Sequence, residues 1–268
     1  MRRITAVLFD LDDTLISWEG AGGYWADFRR DRTAGVHAHM TARGVALPDH
    51  DAFHQHVSVH FVEAWNAAKL DHVAPRVDRS LLEALASLGV DVRDIDAEAL
   101  LAAYGWQPVP GVRPFDGAAD VLAGLRARGY QVGLVTNSME PMWMRDIELA
   151  AFGLLDHFDV RLSASDVGFI KPHPAIFGAA LERLDIEPEE AIFVGDRLDN
   201  DVAGAQAAGM VSVLMCPPHI ATREQHRARD ITPDFTITAL AELEAVLERF
   251  GRPEARSELE PEAVSCCG

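Results

Sequence analysis

Three short apolar runs, each ending abruptly in a polar residue, constrain this chain more than any other feature. Ala6-Val7-Leu8-Phe9 stops at Asp10, Val132-Gly133-Leu134-Val135 stops at Thr136, and Ile192-Phe193-Val194 stops at Gly195-Asp196. Runs this apolar, rich in β-branched and aromatic side chains, read as strands buried in a sheet. Helical patterns lie between them, so the alternation predicts an α/β fold on a parallel sheet. Open α/β sheets hold their ligands beyond the C-terminal strand ends. Asp10, Thr136 and Asp196 are therefore expected along one edge.

The residue types at that edge point to phosphoryl transfer. Asp10 is the candidate nucleophile, since a carboxylate attacking phosphorus splits one hard step into two easier ones. Asp12, two residues on, is the candidate acid/base, able to protonate a leaving oxygen and then activate water. Anions facing an anionic substrate require a cation, and an all-carboxylate set suits Mg²⁺. Asp196 and Asp201 are its candidate distal ligands, with Asp10 shared. Thr136, Asn137 and Lys171 form the candidate phosphate-binding set, with Lys171 also orienting Asp10. Each residue alone has an ordinary explanation, because an Asp ending a strand is more often a turn or helix cap. Yet of twenty-four Lys and Arg residues only Lys69 and Lys171 are lysine. A position that keeps lysine in so arginine-rich a chain suits a compact ammonium.

Four motifs in this order resemble the haloacid dehalogenase-like hydrolase superfamily. They are Asp10-Leu11-Asp12-Asp13-Thr14, Thr136-Asn137-Ser138, Lys171-Pro172-His173-Pro174, and Gly195-Asp196 with Asp201. The resemblance covers about two thirds of the chain and is closest to the phosphatases with a helical cap inserted after the first strand. It implies a Rossmann-like, three-layer α/β/α core, Mg²⁺ dependence, and the roles given above for Asp10 and Asp12. It also implies that Asp12 joins the metal set through its backbone carbonyl. Dehalogenating relatives lack an acid at the position of Asp12, because a leaving halide needs no proton. A phosphate monoester is the implied substrate, with hydrolysis through an aspartyl-phosphate. A sugar-phosphate mutase or a catalytically silent phosphate-binding protein is the alternative. A phosphonate-cleaving relative would need a cap lysine, and Lys69 reads instead as part of a solvated helix face. Receiver modules of signalling pathways share the acids, Thr and Lys, but set the nucleophile on a later strand than the acid pair.

Organisation follows the motifs. Residues 1–17 and 113–250 are read as the core, 18–112 as the inserted helical cap, and 251–268, rich in Glu and Pro, as a disordered tail. Cap helices are expected over Tyr24 to Ala42, Asp51 to Leu70, Asp78 to Leu88 and Asp96 to Tyr104, and a last core helix over Ala239 to Phe250. Pro108, Pro110 and Pro114 mark a stiff return to the core. A formal charge of −18 argues against nucleic acid or anionic lipid as partner. No apolar stretch approaches a membrane span, and the start lacks a secretory pattern. Cys216, Cys266 and Cys267 make no disulfide framework, which suits a reducing cytoplasm. The expected partner is a small phosphorylated metabolite; a homodimer stays open.

Substrate choice is expected to lie in the cap, where the sequence is ambiguous. Seven of the eleven histidines fall between His37 and His72. The pairs His50/His54 and His56/His60 each share a helix face, as a second metal site or a histidine-rich surface. No Glu or Cys completes either pair, which favours the surface. Trp18, Tyr24 and Trp25 follow the first motif, beside Gly20, Gly22 and Gly23. They read either as a lid over Asp10 or as packing at the core–cap joint.

Overall fold

A computed structural model of the chain describes residues 3–218, 230–251 and 253. Strand β1 (Ala6–Phe9) lies inside a six-stranded parallel sheet of order β5-β4-β1-β6-β7-β8. Its neighbours are β4 (Gln131–Thr136) and β6 (Ala191–Gly195), with β5 (Val160–Ser163), β7 (Val211–Met215) and β8 (Phe235–Ile237) outside them. All four residues of β1 are buried. Alternation splits them between two clusters, Val7 and Phe9 on one face, Ala6 and Leu8 on the other. Burying each large side chain of this kind contributes about 1.5–3 kcal/mol, so β1 can only sit between two helical layers.

One layer holds α5 (Ala118–Ala127), α6 (Met142–Ala151) and α10 (Leu243–Leu247), which bury Leu122, Leu149 and Val246 with Val7 and Phe9. The other holds α8 (Pro174–Leu184) and α9 (Ala203–Ala207), which bury Phe177 and Ala205 against Leu8 and Phe193; the short α7 (Ala164–Val167) leads into it. The core is thus the three-layer arrangement expected. From β1 the chain builds β4 and β5 on one side, then returns to build β6 to β8 on the other. That reversal opens a crevice at the strand ends.

Between β2 (Ile16–Ser17) and β3 (Arg113–Pro114) the chain inserts a 3₁₀ turn (Glu19–Ala21) and four α-helices. The helices are α1 (Trp25–Ala42), α2 (His50–Asp71), α3 (Val77–Ser87) and α4 (Ala97–Tyr104), close to their expected spans. Asp49 and Asp96 cap α2 and α4 by accepting from the first-turn amides. The two connections to the core cross at Gly20 and Gly111. A Cβ on Gly20 would lie 2.5 Å from the Gly111 carbonyl oxygen, so the backbones touch where neither can carry a side chain.

The structure adds one strand pair and shortens one expected helix. The pairing of β2 with β3 was not expected. The last helix is shorter than Ala239 to Phe250, starting as a 3₁₀ turn (Leu240–Glu242) and preceded by β8. The expected tail, with Cys266 and Cys267, lies outside the described residues apart from Gly251 and Pro253. Among the described residues no helix is long and apolar enough to cross a membrane.

Candidate active site

The sheet brings the predicted acids together because its register does. The Asp10 amide donates to the Val194 carbonyl at 2.9 Å, extending the β1–β6 ladder by one residue and setting Asp10 beside Gly195-Asp196. After β6 the chain turns through a π-helical segment, Leu198–Val202, whose extra residue folds Asp201 back under the strand. The fold-back needs Gly195, since a Cβ there would lie 2.3 Å from Asp201 Cγ. The Asp201 carboxylate also accepts from the Arg197 amide at 2.9 Å. Carboxylate oxygens of Asp10, Asp196 and Asp201 lie within 4.8 Å of one another, and all three residues are buried.

Lys171 is the cation among them and is only 1% exposed. Its Nζ lies 2.7 Å from Asp10 Oδ1 and 2.7 Å from Asp201 Oδ1, and donates to the Val135 carbonyl at 2.9 Å. Burial pulls the lysine pKa down, but Asp10 and Asp201 outweigh it and the net direction is up. One ammonium does not balance three buried carboxylates. Burial first, then Asp201 and Asp12, push Asp10 up to about 7 against the pull of Lys171. Asp196 is held well above the usual carboxylate range by burial and by Asp201 and Asp10. A crowded set of oxygen donors is the setting that a hard divalent cation relieves, so these residues fit the implied metal.

The remaining predicted residues are placed more variously. Thr136 ends β4, fully buried, its hydroxyl without a hydrogen-bond partner among the described residues. Asn137 bonds the main chain of Lys171. Its Oδ1 accepts from the Lys171 amide at 2.7 Å and its Nδ2 donates to the Lys171 carbonyl at 3.1 Å, so it clamps the lysine loop to β4. The Asp12 carboxylate meets partners outside the three acids. Its Oδ1 accepts from the Trp18 indole and from Arg145, both at 2.7 Å. A role for Asp12 in the metal set therefore rests on its main chain.

Arg145 was missed by sequence reading. It stands on α6, only 3% exposed, 3.1 Å from the fully buried Glu148 and with its guanidinium 5.6 Å from the Trp106 ring centroid. Burial pushes Glu148 up to about 7, against the pull of Arg145. Lys69 was read as solvated. It is exposed, yet it borders a cleft of about 720 Å³ together with Lys171 and Arg197. The two histidine pairs bind within the inserted helices, His50 and His54 to the Thr33 hydroxyl at 3.3 and 2.9 Å, and His56 to Ser87 at 2.7 Å. Among the described residues the three-acid set is the one metal-competent group, and it includes no histidine. Trp18 and Trp25 meet edge to face, 5.2 Å between ring centroids, and border a second cavity at the joint.

Comparison with known proteins places this geometry. A family model described as haloacid dehalogenase-like hydrolase matches residues 4–209. A glyceraldehyde 3-phosphate phosphatase of Pyrococcus furiosus is 30% identical over 252 residues, covering 93% of this chain and 95% of that protein. A ribulose-1,5-bisphosphate 5-phosphatase of Halopiger xanaduensis is 30% identical over 249 residues, covering 89% and 97%. Among solved structures, a HAD phosphatase from Thermococcus onnurineus superposes with a TM-score of 0.58 at 27% identity, covering 93% of this chain and all of that one. A 2-haloacid dehalogenase from Pseudomonas syringae superposes with a TM-score of 0.60 at 28% identity, covering 92% and 99%.

Proposed function

The chain belongs to the haloacid dehalogenase-like hydrolase family, and on that premise we propose that it is a Mg²⁺-dependent phosphatase of a small phosphorylated metabolite. The carrying observation is Asp10 itself: a buried carboxylate 2.7 Å from a buried ammonium and grouped with two further acids. Asp12 favours phosphatase over dehalogenase, since only an alkoxide leaving group needs a proton. The names of the two full-length relatives point the same way.

In the proposed reaction an Asp10 oxygen attacks phosphorus, the bond to the leaving oxygen breaks, and Asp12 delivers the proton. Asp12 then takes a proton from water, whose oxygen attacks the aspartyl-phosphate; the bond from phosphorus to Asp10 breaks and inorganic phosphate leaves. Trp18 and Arg145 both bond Oδ1 of Asp12, which assigns the proton transfers to Oδ2. Lys171 favours the ionised form of Asp10 and offsets phosphate charge, Asn137 fixes the lysine loop, and the Thr136 hydroxyl is the donor for a phosphoryl oxygen. Mg²⁺, held by Asp10, Asp196, Asp201 and the Asp12 carbonyl, would supply charge for the transferring group.

Phosphate release from a panel of phosphomonoesters, with Mg²⁺ or with chelator, tests the proposal. Metal-dependent turnover that disappears in Asp10→Asn is the expected result. No release from any ester by folded, Mg²⁺-supplied protein would overturn it in favour of a mutase or a silent binder.

A further inference from the structure

Two cavities lie beside residues of the proposed reacting centre. The cleft of about 720 Å³ borders Lys171, on the side assigned to phosphate. The other, about 310 Å³, borders Asp12, on the side where a leaving group departs. Asn137 and Trp65 border both. Resting on the phosphatase reading above, we infer that the smaller cavity holds the alcohol portion of the substrate and that this alcohol is aromatic.

The lining carries the inference. Trp18, Trp25, Phe61, Trp65, Tyr104 and Trp106 surround the cavity, brought from the turn after Asp12, from α1, α2 and α4, and from the chain just beyond α4. The Arg29 guanidinium lies 5.4 Å from the Phe61 ring centroid and extends this wall with a flat, stackable surface. Some of these rings also pack on one another, Trp25 against Trp106 with centroids 6.4 Å apart. Packing alone would close the joint, whereas here a ring-sized space remains between them and the acid.

Several polar groups in the wall are already engaged, while the Trp106 indole N–H has no hydrogen-bond partner among the described residues. Ser138 donates to Glu140 at 2.6 Å, Arg145 donates to Asp12 at 2.7 Å, and Asn137 holds the Lys171 main chain. A sugar or glycerol moiety entering here would set most of its hydroxyls against ring faces and give up water without replacing each hydrogen bond. A ring would bury apolar surface and gain edge and face contacts. The leaving group thus differs in class from the sugar phosphates in the names of the full-length relatives.

The test compares 2-phenylethyl phosphate with glycerol 3-phosphate, both alkyl esters of similar intrinsic reactivity. Acetyl phosphate, whose leaving group needs neither the pocket nor a proton, reports phosphoryl transfer separately. The expected result is Mg²⁺-dependent turnover of acetyl phosphate, with kcat/KM for 2-phenylethyl phosphate on the order of ten- to a hundredfold above that for glycerol 3-phosphate. Val62→Trp should erase that preference without lowering the melting temperature, because Val62 lines the cavity yet is 52% exposed. Turnover of acetyl or glycerol phosphate with the aromatic ester no better would overturn the inference and leave the phosphatase reading standing. Turnover of none of the three by folded, Mg²⁺-supplied protein would overturn both.

Discussion

Arg145 and Asp12, 133 positions apart in the chain, are joined by a 2.7 Å hydrogen bond between guanidinium and carboxylate. The same guanidinium lies 3.1 Å from Glu148 and feels Glu140, so one buried cation holds the acid/base candidate against two further buried acids. Removing one partner of a buried ion pair costs about 3–5 kcal/mol, because the other is left uncompensated. Arg145→Met is therefore expected to lower the melting temperature sharply at pH 8. Glu148 and Glu140 both have raised folded pKa values, so their unfavourable charge disappears as pH falls and they take up protons. The deficit should shrink between pH 8 and pH 5. Thermal melts of both proteins across that range check it, and a deficit that grows toward low pH would contradict this account.

Lys171 fits its place by shape as well as charge. Its single Nζ reaches Asp10, Asp201 and the Val135 carbonyl within 2.9 Å, with the Phe193 ring centroid 5.2 Å away. A planar guanidinium cannot converge on that point, so Lys171→Arg keeps the charge and loses the geometry. We expect kcat/KM for phosphate release to fall on the order of 10²–10³-fold, as when one aligned transition-state donor is removed. Lys171→Met should do no better. Activity in the arginine variant within a few-fold of wild type would show that charge alone suffices.

Those two cations mark the boundary of what the sequence discloses. Lys171 was legible because it is one of two lysines and stands before Pro172 in an ordered set of motifs. Asp10, Asp196 and Asp201 were legible because each closes or follows an apolar run too hydrophobic to lie anywhere but inside a sheet. Arg145 and Glu148 were not, since charges three apart on a helix read as a solvated pair, whereas both are buried here and Trp106 packs on the guanidinium. Asn137 was legible as a motif residue but not as a clamp, because its partner is a main chain 34 residues away. Strands β2 and β3 are two residues long, too short for any periodicity to register.

Gly195 offers a test of the acid cluster that leaves every carboxylate in place. The Cβ of Gly195→Ala would lie 2.3 Å from Asp201 Cγ and 2.5 Å from its Oδ2, so Asp201 must move. Overpacking of this kind costs about 1–3 kcal/mol. The expected outcome is a modest loss of stability together with weaker Mg²⁺ binding, read by calorimetric titration. Mg²⁺ affinity equal to wild type would mean that Asp201 is not part of the metal set.

Asp196 separates the stability of the empty site from its ability to bind metal. Its folded pKa is raised, chiefly by burial and then by Asp201 and Asp10. A raised folded pKa means that the penalty for its charge is absent below the ordinary aspartate range and fully present once pH exceeds the folded value. Without metal, wild type should therefore lose stability as pH rises through that window, and Asp196→Asn should lose less. At pH 8 in chelator the variant should melt above wild type, and near pH 4 the two should converge. Mg²⁺ should then reverse the order. A ligand at a hundred times its Kd stabilises by about 2.7 kcal/mol, a gain open to wild type and closed to the variant. Melts of both proteins at pH 4 and pH 8, with Mg²⁺ and with chelator, give the comparison under all four conditions. A variant less stable than wild type in chelator at pH 8 would mean that the buried carboxylates are balanced by the protein itself, with no electrostatic demand for a cation.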